Sequence, residues 1–229
     1  MYTLYIANKN YSSWSLRPWV LMEELHIPFH ERLRRFEPGG AGNSFRSFSP
    51  TGKVPALHHG SAVVWDSLAI AEYLHELHEG VWPKDAAARA WARSASAEMH
   101  SAFATLRQQC SFNLGLRVRL REQPEGLRKD LARMDELWSE GIARFGGPFL
   151  AGATFTAVDA FFAPVQFRVQ TYGLELNEAA TRYSRMVLAL DSMGRWYEDG
   201  IKEDFRDPEH DEVVLKFGDI LQDFRVKAV

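Results

Sequence analysis

Alternation at Thr3 to Ala7 reads as a strand, and after the polar stretch Asn8 to Ser13 the apolar residues recur at helical spacing from Leu16 to Leu25. Ile27-Pro28 ends that helix, and Phe29 to Phe36 then alternates apolar and charged residues as a half-exposed strand does. Glu37 to Ser49 is a loop rich in Gly and Ser. A turn at Thr51-Gly52 leads into Val54-Pro55. The apolar pair Ala56-Leu57, then His59-Gly60-Ser61, then the run Ala62 to Trp65 predict a hairpin entered through a proline. Asp66-Ser67 follows directly and opens a helical pattern of Leu68, Ile70, Ala71, Leu74 and Leu77. The order β-α-β, loop, β-β-α predicts a small four-stranded sheet with helices packed on it.

Beyond Val81-Trp82-Pro83-Lys84-Asp85 the pattern changes, and Pro83 interrupts the helical periods on both sides, so residues 81–85 are read as a linker between a domain over 1–80 and another over 86–229. Ala86 to Gln109 is Ala-rich and helix-favouring. Pro124 stands where a helix starts, and Leu127, Leu131, Met134, Trp138, Ile142 and Phe145 recur at spacings of three and four until Gly146-Gly147-Pro148 stops them. Thr156-Ala-Val-Asp159 is a capping-box-like signature, with Asp in place of Glu, ahead of the apolar run Ala160 to Val165. Two or three shorter helices are expected over 177–224. No strand is predicted after residue 85, which makes the second half all-helical.

Composition narrows the functional classes. The chain of 229 residues is long enough for one large domain or two small ones, and 46% apolar with 25% charged residues is ordinary for a globular protein. A net charge of −3 offers no electrostatic case for nucleic acid or an anionic membrane. The N-terminus lacks the basic and apolar regions of a signal peptide, and no apolar run approaches the roughly 20 residues of a membrane helix, so the expected location is the cytoplasm. Cys110 is the sole cysteine, which excludes an intrachain disulfide, a C-x-x-C pair and a cysteine-rich zinc site. His58-His59 fits a hairpin edge, with no third ligand nearby, and no metal is expected.

The most informative chemistry lies at Asp66-Ser67. A carboxylate and a hydroxyl at a helix start can hold the zwitterionic end of an amino-acid-like ligand: the carboxylate takes the ammonium, while Ser67 and free helix N–H groups take the carboxylate. Each residue also has a plain structural reading. Asp66 can serve as an N-cap, Ser12 and Ser13 as turn or cap residues, Lys53 as a solvated loop lysine, Arg17 as half of an ion pair, and Cys110 as a small buried hydrophobe.

With Val54-Pro55 followed eleven residues later by Asp66-Ser67 and Leu-Ala-Ile-Ala-Glu-Tyr-Leu, the chain resembles the soluble glutathione S-transferases over nearly its whole length. That resemblance implies a thioredoxin-like α/β N-terminal domain joined to an all-α C-terminal domain. It implies a cis Pro55, a Val54 backbone that pairs with the cysteinyl unit of glutathione, Asp66 and Ser67 at the γ-glutamyl end, and Lys53 at a glutathione carboxylate. Ser12-Ser13-Trp14-Ser15-Leu16-Arg17 is similar to the Ser-Ser-Cys-Ser-x-Arg stretch of the zeta class, which puts Ser12 in the place of the catalytic serine, with Ser13 and Trp14 beside glutathione. Gln109-Cys-Ser-Phe-Asn113-Leu114 is similar to a zeta-class Gln-x-x-x-Asn-Leu segment, which adds Gln109 and Asn113 to the glutathione-binding set. Trp14 stands where that class has its cysteine, a departure that counts against maleylacetoacetate isomerase activity.

The implied activity is attack of glutathione thiolate on an apolar electrophilic small molecule, or reduction of a peroxide, as in detoxification. Glutathione is then a co-substrate, and a homodimer is expected. A non-catalytic interaction module and a glutathione-dependent isomerase are the alternatives. With Ser15 as the helix N-cap, Pro18 falls at the third helical position and Ser12 lies in the loop ahead of the helix, free to face a thiol. The electrophile pocket is expected between the domains, lined by Tyr11, Trp14, Phe103, Phe112 and Phe162.

Overall fold

The computed structural model describes residues 1–37 and 44–226. Its first half is built from β1 (Tyr2–Ile6), α1 (Ser13–Glu24), β2 (Phe29–Leu33), β3 (Ala56–His59), β4 (Ala62–Trp65) and α2 (Ser67–Leu77). Strands run in the order β2-β1-β3-β4, with β1 parallel to β2 and the other pairings antiparallel. In β1, Tyr2, Leu4 and Ile6 face the core while Thr3 and Tyr5 are half-buried, the period of two that the alternation predicts. The expected loop between β2 and β3 lies in part outside the described residues, and Phe45–Ser47 forms one 3₁₀ turn of it.

The second half comprises α3 (Ala86–Ser101), α4 (Ala104–Gln109), β5 (Leu116–Leu120), α5 (Glu125–Phe145), α6 (Ala157–Tyr172), α7 (Glu178–Leu188), α8 (Asp191–Lys202), α9 (Pro208–Phe217) and β6 (Gly218–Asp223). Helix α6 is buried continuously from Ala157 to Arg168 and packs against both α1 and α3, so it is the axis of the molecule. Its capping box closes as expected: the Thr156 N–H donates to Asp159 Oδ2 at 3.0 Å. Asp159 also accepts from the Leu150 N–H and the Tyr183 hydroxyl, both at 3.0 Å. Helix α5 ends at Gly146 with φ 81°, a left-handed position that glycine adopts at little cost.

Three expectations need correction. The second half carries strands: β5 and β6 form an antiparallel ribbon. The alternation Leu116-Arg-Val-Arg-Leu120 was the available signal. The helix-favouring stretch Ala86 to Gln109 breaks at Ala102-Phe103, where Phe103 takes φ 57° and a second helix, α4, begins. Finally, Ser12, not Ser15, caps α1, so Pro18 lies well inside the helix and leaves the Trp14 carbonyl without its usual intrahelical donor.

The linker expected at 81–85 is anchored: Val81 and Trp82 are fully buried, and the Val81 carbonyl accepts from the Ala157 N–H at 2.8 Å. The loop that carries the chain from β1 into α1 is held just as firmly. Lys9 is buried between the Trp19 and Trp196 rings and pairs with Glu31 at 3.0 Å and Asp199 at 2.8 Å. Glu203 accepts the Lys9 N–H at 2.7 Å and the Asn10 N–H at 3.4 Å. Gly200 permits this approach, because a Cβ there would lie 2.6 Å from Leu114 Cδ1 and 3.1 Å from the Asn10 nitrogen. The C-terminal half thus sets the position of residues 8–12.

Candidate active site

A cavity of about 670 Å³ opens between the two halves at the N-terminus of α1. Ser12, Ser13 and Trp14 form one wall, Thr51 to Val54 a second, Arg107, Ser111, Phe112 and Arg168 a third, while Phe205 and Asp207 to His210 close the rim. A cavity of similar size, about 710 Å³, lies at the linker and contains none of the residues expected to bind ligand.

The hydroxyl wall is built by helix-start geometry. Ser12 is 4% exposed and caps α1 by accepting the Ser15 N–H at 3.4 Å. Its own hydroxyl donates to Ser15 Oγ at 2.7 Å, and Ser15 Oγ also accepts the Ala7 N–H at 3.1 Å. Ser12 is therefore not free in a loop, as the sequence suggested. To donate to a thiolate its proton has to turn away from Ser15. Ser13 is half-buried on the same wall, and its hydroxyl has no hydrogen-bond partner among the described residues.

On the second wall Val54–Pro55 is cis, as the resemblance implied. Neither the N–H nor the C=O of Val54 finds a protein partner among the described residues, so an amide pair is available to a peptide-like ligand beside the cavity. Lys53 is exposed at the same edge.

Asp66 and Ser67 lie next to this wall without lining the cavity itself. Asp66 caps α2, its Oδ1 accepting the Leu68 N–H at 2.8 Å, and adopts φ 74°, a conformation that non-glycine residues rarely hold and that tends to mark functional positions. Its second oxygen is 3.4 Å from His100 Nε2 of α3, and the carboxylate is 48% exposed. Burial lowers the His100 pKa, with Asp66 opposing that shift and Arg17 and Arg107 adding to it. Ser67 is buried and accepts from Arg17 Nη1 at 3.4 Å.

Other expected residues fall elsewhere. Asn113 is buried, accepting from Asn10 Nδ2 at 3.1 Å and donating to Asp211 at 2.9 Å. Both ends of its amide are engaged, which makes it a tie between the halves. Gln109 ends α4 and does not line the cavity. Phe112 does line it, with Tyr11, whose hydroxyl accepts from Arg225 at 3.0 Å and faces Asp211 at 3.4 Å. Burial raises the Tyr11 pKa. Phe103 and Phe162 are core residues: Phe162 is 0% exposed and meets the Trp138 ring edge-on at 5.7 Å.

The sequence reading found Phe112 but missed Arg107, Ser111 and Arg168 on the third wall, and the rim. Arg168, from α6, is 6% exposed, and its Nε donates to the Cys110 carbonyl at 2.8 Å. Arg107, from α4, donates to the Met99 and His100 carbonyls. Both Arg17, at 4.2 Å, and Arg107, at 5.0 Å, lie over the Trp14 ring. Burial pushes the Arg17 pKa well down, Arg107 and Arg168 push it further, and Asp66 opposes them. Burial likewise lowers Arg168 to about 10. Buried Cys110 is inert at neutral pH, its thiol pushed up to about 12 by burial. A charged residue within an apolar helix is the signal that marks Arg168.

Fold and site together define a class, a thioredoxin-like α/β domain bound to a helical domain with a ligand cavity at their junction. Residues 11–77 match the family described as "Glutathione S-transferase, N-terminal domain". Over its length the chain has the glutathione transferase fold. It is 26% identical over 176 residues to the glutathione S-transferase-like protein OpS6 of Beauveria bassiana, covering 70% of this chain and 76% of that one. It is 27% identical over 187 residues to a probable maleylacetoacetate isomerase of Caenorhabditis elegans, covering 78% and 83%. A crystal structure of a glutathione transferase homolog from Burkholderia with bound glutathione superposes with a TM-score of 0.65 at 23% identity, covering 87% of this chain and 97% of the other. Among the described residues no helix is long and apolar enough to cross a membrane, and no three His, Cys, Asp or Glu side chains gather as metal ligands do.

Proposed function

We propose that this protein is a glutathione transferase that activates the glutathione thiol at the N-terminus of α1 and delivers the thiolate to an electrophile in the same cavity. The observation that carries this reading is convergence: the hydroxyls of Ser12 and Ser13, the open amide pair of Val54 and the side chain of Lys53 border one cavity, with Asp66 adjacent. The glutathione-bound relative of the same fold supports the choice of ligand. The residues fit it, since a tripeptide with an ammonium, two carboxylates and a thiol needs a carboxylate, an extended amide partner, a cation and a hydroxyl.

In this mechanism Asp66 holds the γ-glutamyl ammonium and Val54 aligns the cysteinyl unit, fixing the sulfur at the start of α1. A free thiol near pKa 8.5 is only a few per cent thiolate at neutral pH, and the thiolate is the nucleophile. A Ser12 hydroxyl turned from Ser15 to the sulfur supplies a hydrogen bond to a charged acceptor of about 1.5–3 kcal/mol. At about 1.36 kcal/mol per unit that lowers the thiol pKa by about one to two units. The N-terminus of α1 adds about 0.3–1 kcal/mol in the same direction. Arg17 stacks under Trp14 and adds positive potential behind this wall.

Ser13 is a second reading for the hydroxyl that meets sulfur, favoured by its greater exposure and lack of a partner. Isomerase activity rests on the C. elegans relative and lacks the cysteine that Trp14 replaces. Calorimetric titration with glutathione, repeated with Asp66→Ala, tests the core of the proposal. Saturable binding that weakens in the variant supports it, and absence of binding at millimolar glutathione refutes it. Thiolate absorbance of the bound ligand against pH, in Ser12→Ala and Ser13→Ala, then distinguishes the two hydroxyls.

A further inference from the structure

Arg107 and Arg168 on the third wall, with Arg17 behind the Trp14 ring, gather three guanidinium groups at the cavity. Arg17, Arg107 and Arg168 come from α1, α4 and α6 and lie close enough for Arg107 and Arg168 both to perturb Arg17. Among the described residues none of the three has a carboxylate within salt-bridge distance, although eighteen such pairs occur elsewhere. An arginine offers five N–H donors in a planar fork. Arg168 uses Nε on the Cys110 carbonyl and Nη1 on the Pro164 carbonyl at 3.4 Å, which leaves Nη2 without a protein partner. Arg107 uses only Nη2, on two carbonyls, and leaves Nη1 without one. Arg107 and Arg168 both border the cavity, with Phe112 placed beneath the Arg168 guanidinium at 5.4 Å.

Clustered, unpaired guanidinium groups in a partly dry site are costly unless an anion completes them. The acidic groups on this cavity do not. Asp207 caps α9 and pairs with His210 at 2.9 Å, while Glu37 and Glu209 are exposed at the rim. Asp130 accepts the Leu106 N–H at 2.9 Å, and it acts on Arg107, as Asp66 does on Arg17, only from beyond salt-bridge distance.

We infer that Arg168 and Arg107 form a carboxylate subsite, so that the second substrate is an electrophile carrying a carboxylate, held against Phe112 with its reactive carbon toward Ser12 and Ser13. A planar carboxylate matches the guanidinium fork, and an aromatic or unsaturated body fits the Phe112 and Trp14 faces. This deepens the transferase reading and rests on it. It also replaces the purely apolar acceptor that the aromatic residues alone suggested.

The test compares two glutathione conjugates that differ in one group, S-(carboxybenzyl)glutathione and its carbamoyl counterpart, by calorimetry near pH 7. The wild-type protein is expected to bind the acid about tenfold or more tightly than the amide, as a charge-assisted pair requires. Arg168→Gln is expected to bring the two within about threefold, Arg168→Lys to restore part of the preference, and Arg107→Gln to remove a smaller share. Unchanged glutathione affinity in these variants shows that they are folded. Equal binding of acid and amide by the wild type overturns the subsite whether or not a variant folds, as does a preference that survives in both Gln variants. If glutathione and the amide conjugate bind while the acid gains nothing, the subsite alone falls. If neither conjugate nor glutathione binds, the transferase reading falls and takes the subsite with it.

Discussion

The two sides of the cavity are made by different rules. The side from the first half is local: Ser12, Ser13 and Trp14 occupy one helix start, Lys53 and Val54 one turn, and Asp66 and Ser67 another helix start. Its groups are uncharged hydroxyls and amides with one exposed carboxylate and one exposed lysine, and their geometry follows from caps and turns within a few residues. The opposite side gathers Arg107, Phe112 and Arg168 from separate elements, with Asp207 to His210 from α9 across the rim. There the side chains are long and charged, and carbonyls of Cys110, Met99 and His100 aim them. The local side suits a constant ligand recognised by its backbone. The assembled side can change with a few substitutions on helices whose packing is otherwise intact, as expected of a wall that selects a variable substrate.

That contrast can be broken in four places. The largest effect is expected at Phe162→Ala, because Phe162 is core and not cavity: unfolding stability should fall by about 3–5 kcal/mol, with glutathione affinity of the folded protein unchanged. Loss of electrophile turnover without loss of stability would return Phe162 to the pocket.

Asp66→Ala comes next. Removing the carboxylate expected to hold the ammonium should weaken glutathione about ten- to a hundredfold by calorimetry, the size of a hydrogen-bonded charge pair. An affinity within about twofold of wild type would reduce Asp66 to the cap of α2.

Ser12→Ala should raise the pKa of bound thiol by about one to two units and lower turnover near neutral pH to match, with binding largely retained. Because Ser12 also caps α1, stability should drop by about 1 kcal/mol. If the spectrophotometric thiol titration moves only in Ser13→Ala, the active hydroxyl is Ser13.

The smallest effect concerns His100, on the boundary between the two sides. Its pKa lies below the ordinary imidazole value chiefly because of burial. The fold therefore favours neutral His100, and its contribution is complete above about pH 6.5 and is lost as pH falls through the lower, folded-state pKa. Denaturant midpoints should decline from pH 7 toward pH 5, and His100→Gln should flatten part of that decline. An identical slope in the variant would show that the Asp66 partner cancels the burial.

Much of the local side was legible in the sequence. Asp66-Ser67 before an apolar helical run, Val54-Pro55 ahead of a hairpin, and Thr156 with Asp159 are short patterns whose physics closes within one turn, and each is found where expected. Reading failed where two local solutions competed. Ser12 and Ser15 are both plausible caps, and the choice of Ser12 goes with Ser15 turning inward to accept the Ala7 N–H. Leu116 to Leu120 alternates as a strand, but its partner Gly218 to Asp223 lies a hundred residues on and follows directly from a helix.

The sequence by itself determined the elements of the first half, the caps of α2 and α6, and the hydroxyl and carboxylate types of the local wall, because hydrogen bonds between near neighbours and the periods of helix and strand are properties of short segments. Tertiary structure alone decided which helix starts face a cavity, that Asn113 ties the halves while Phe162 fills the core, and that three arginines from distant helices meet with no carboxylate in salt-bridge distance among the described residues. Those outcomes depend on how α6 packs against α1 and α3. Close packing fixes the placement of every side chain around it at once, and no segment read alone contains that information.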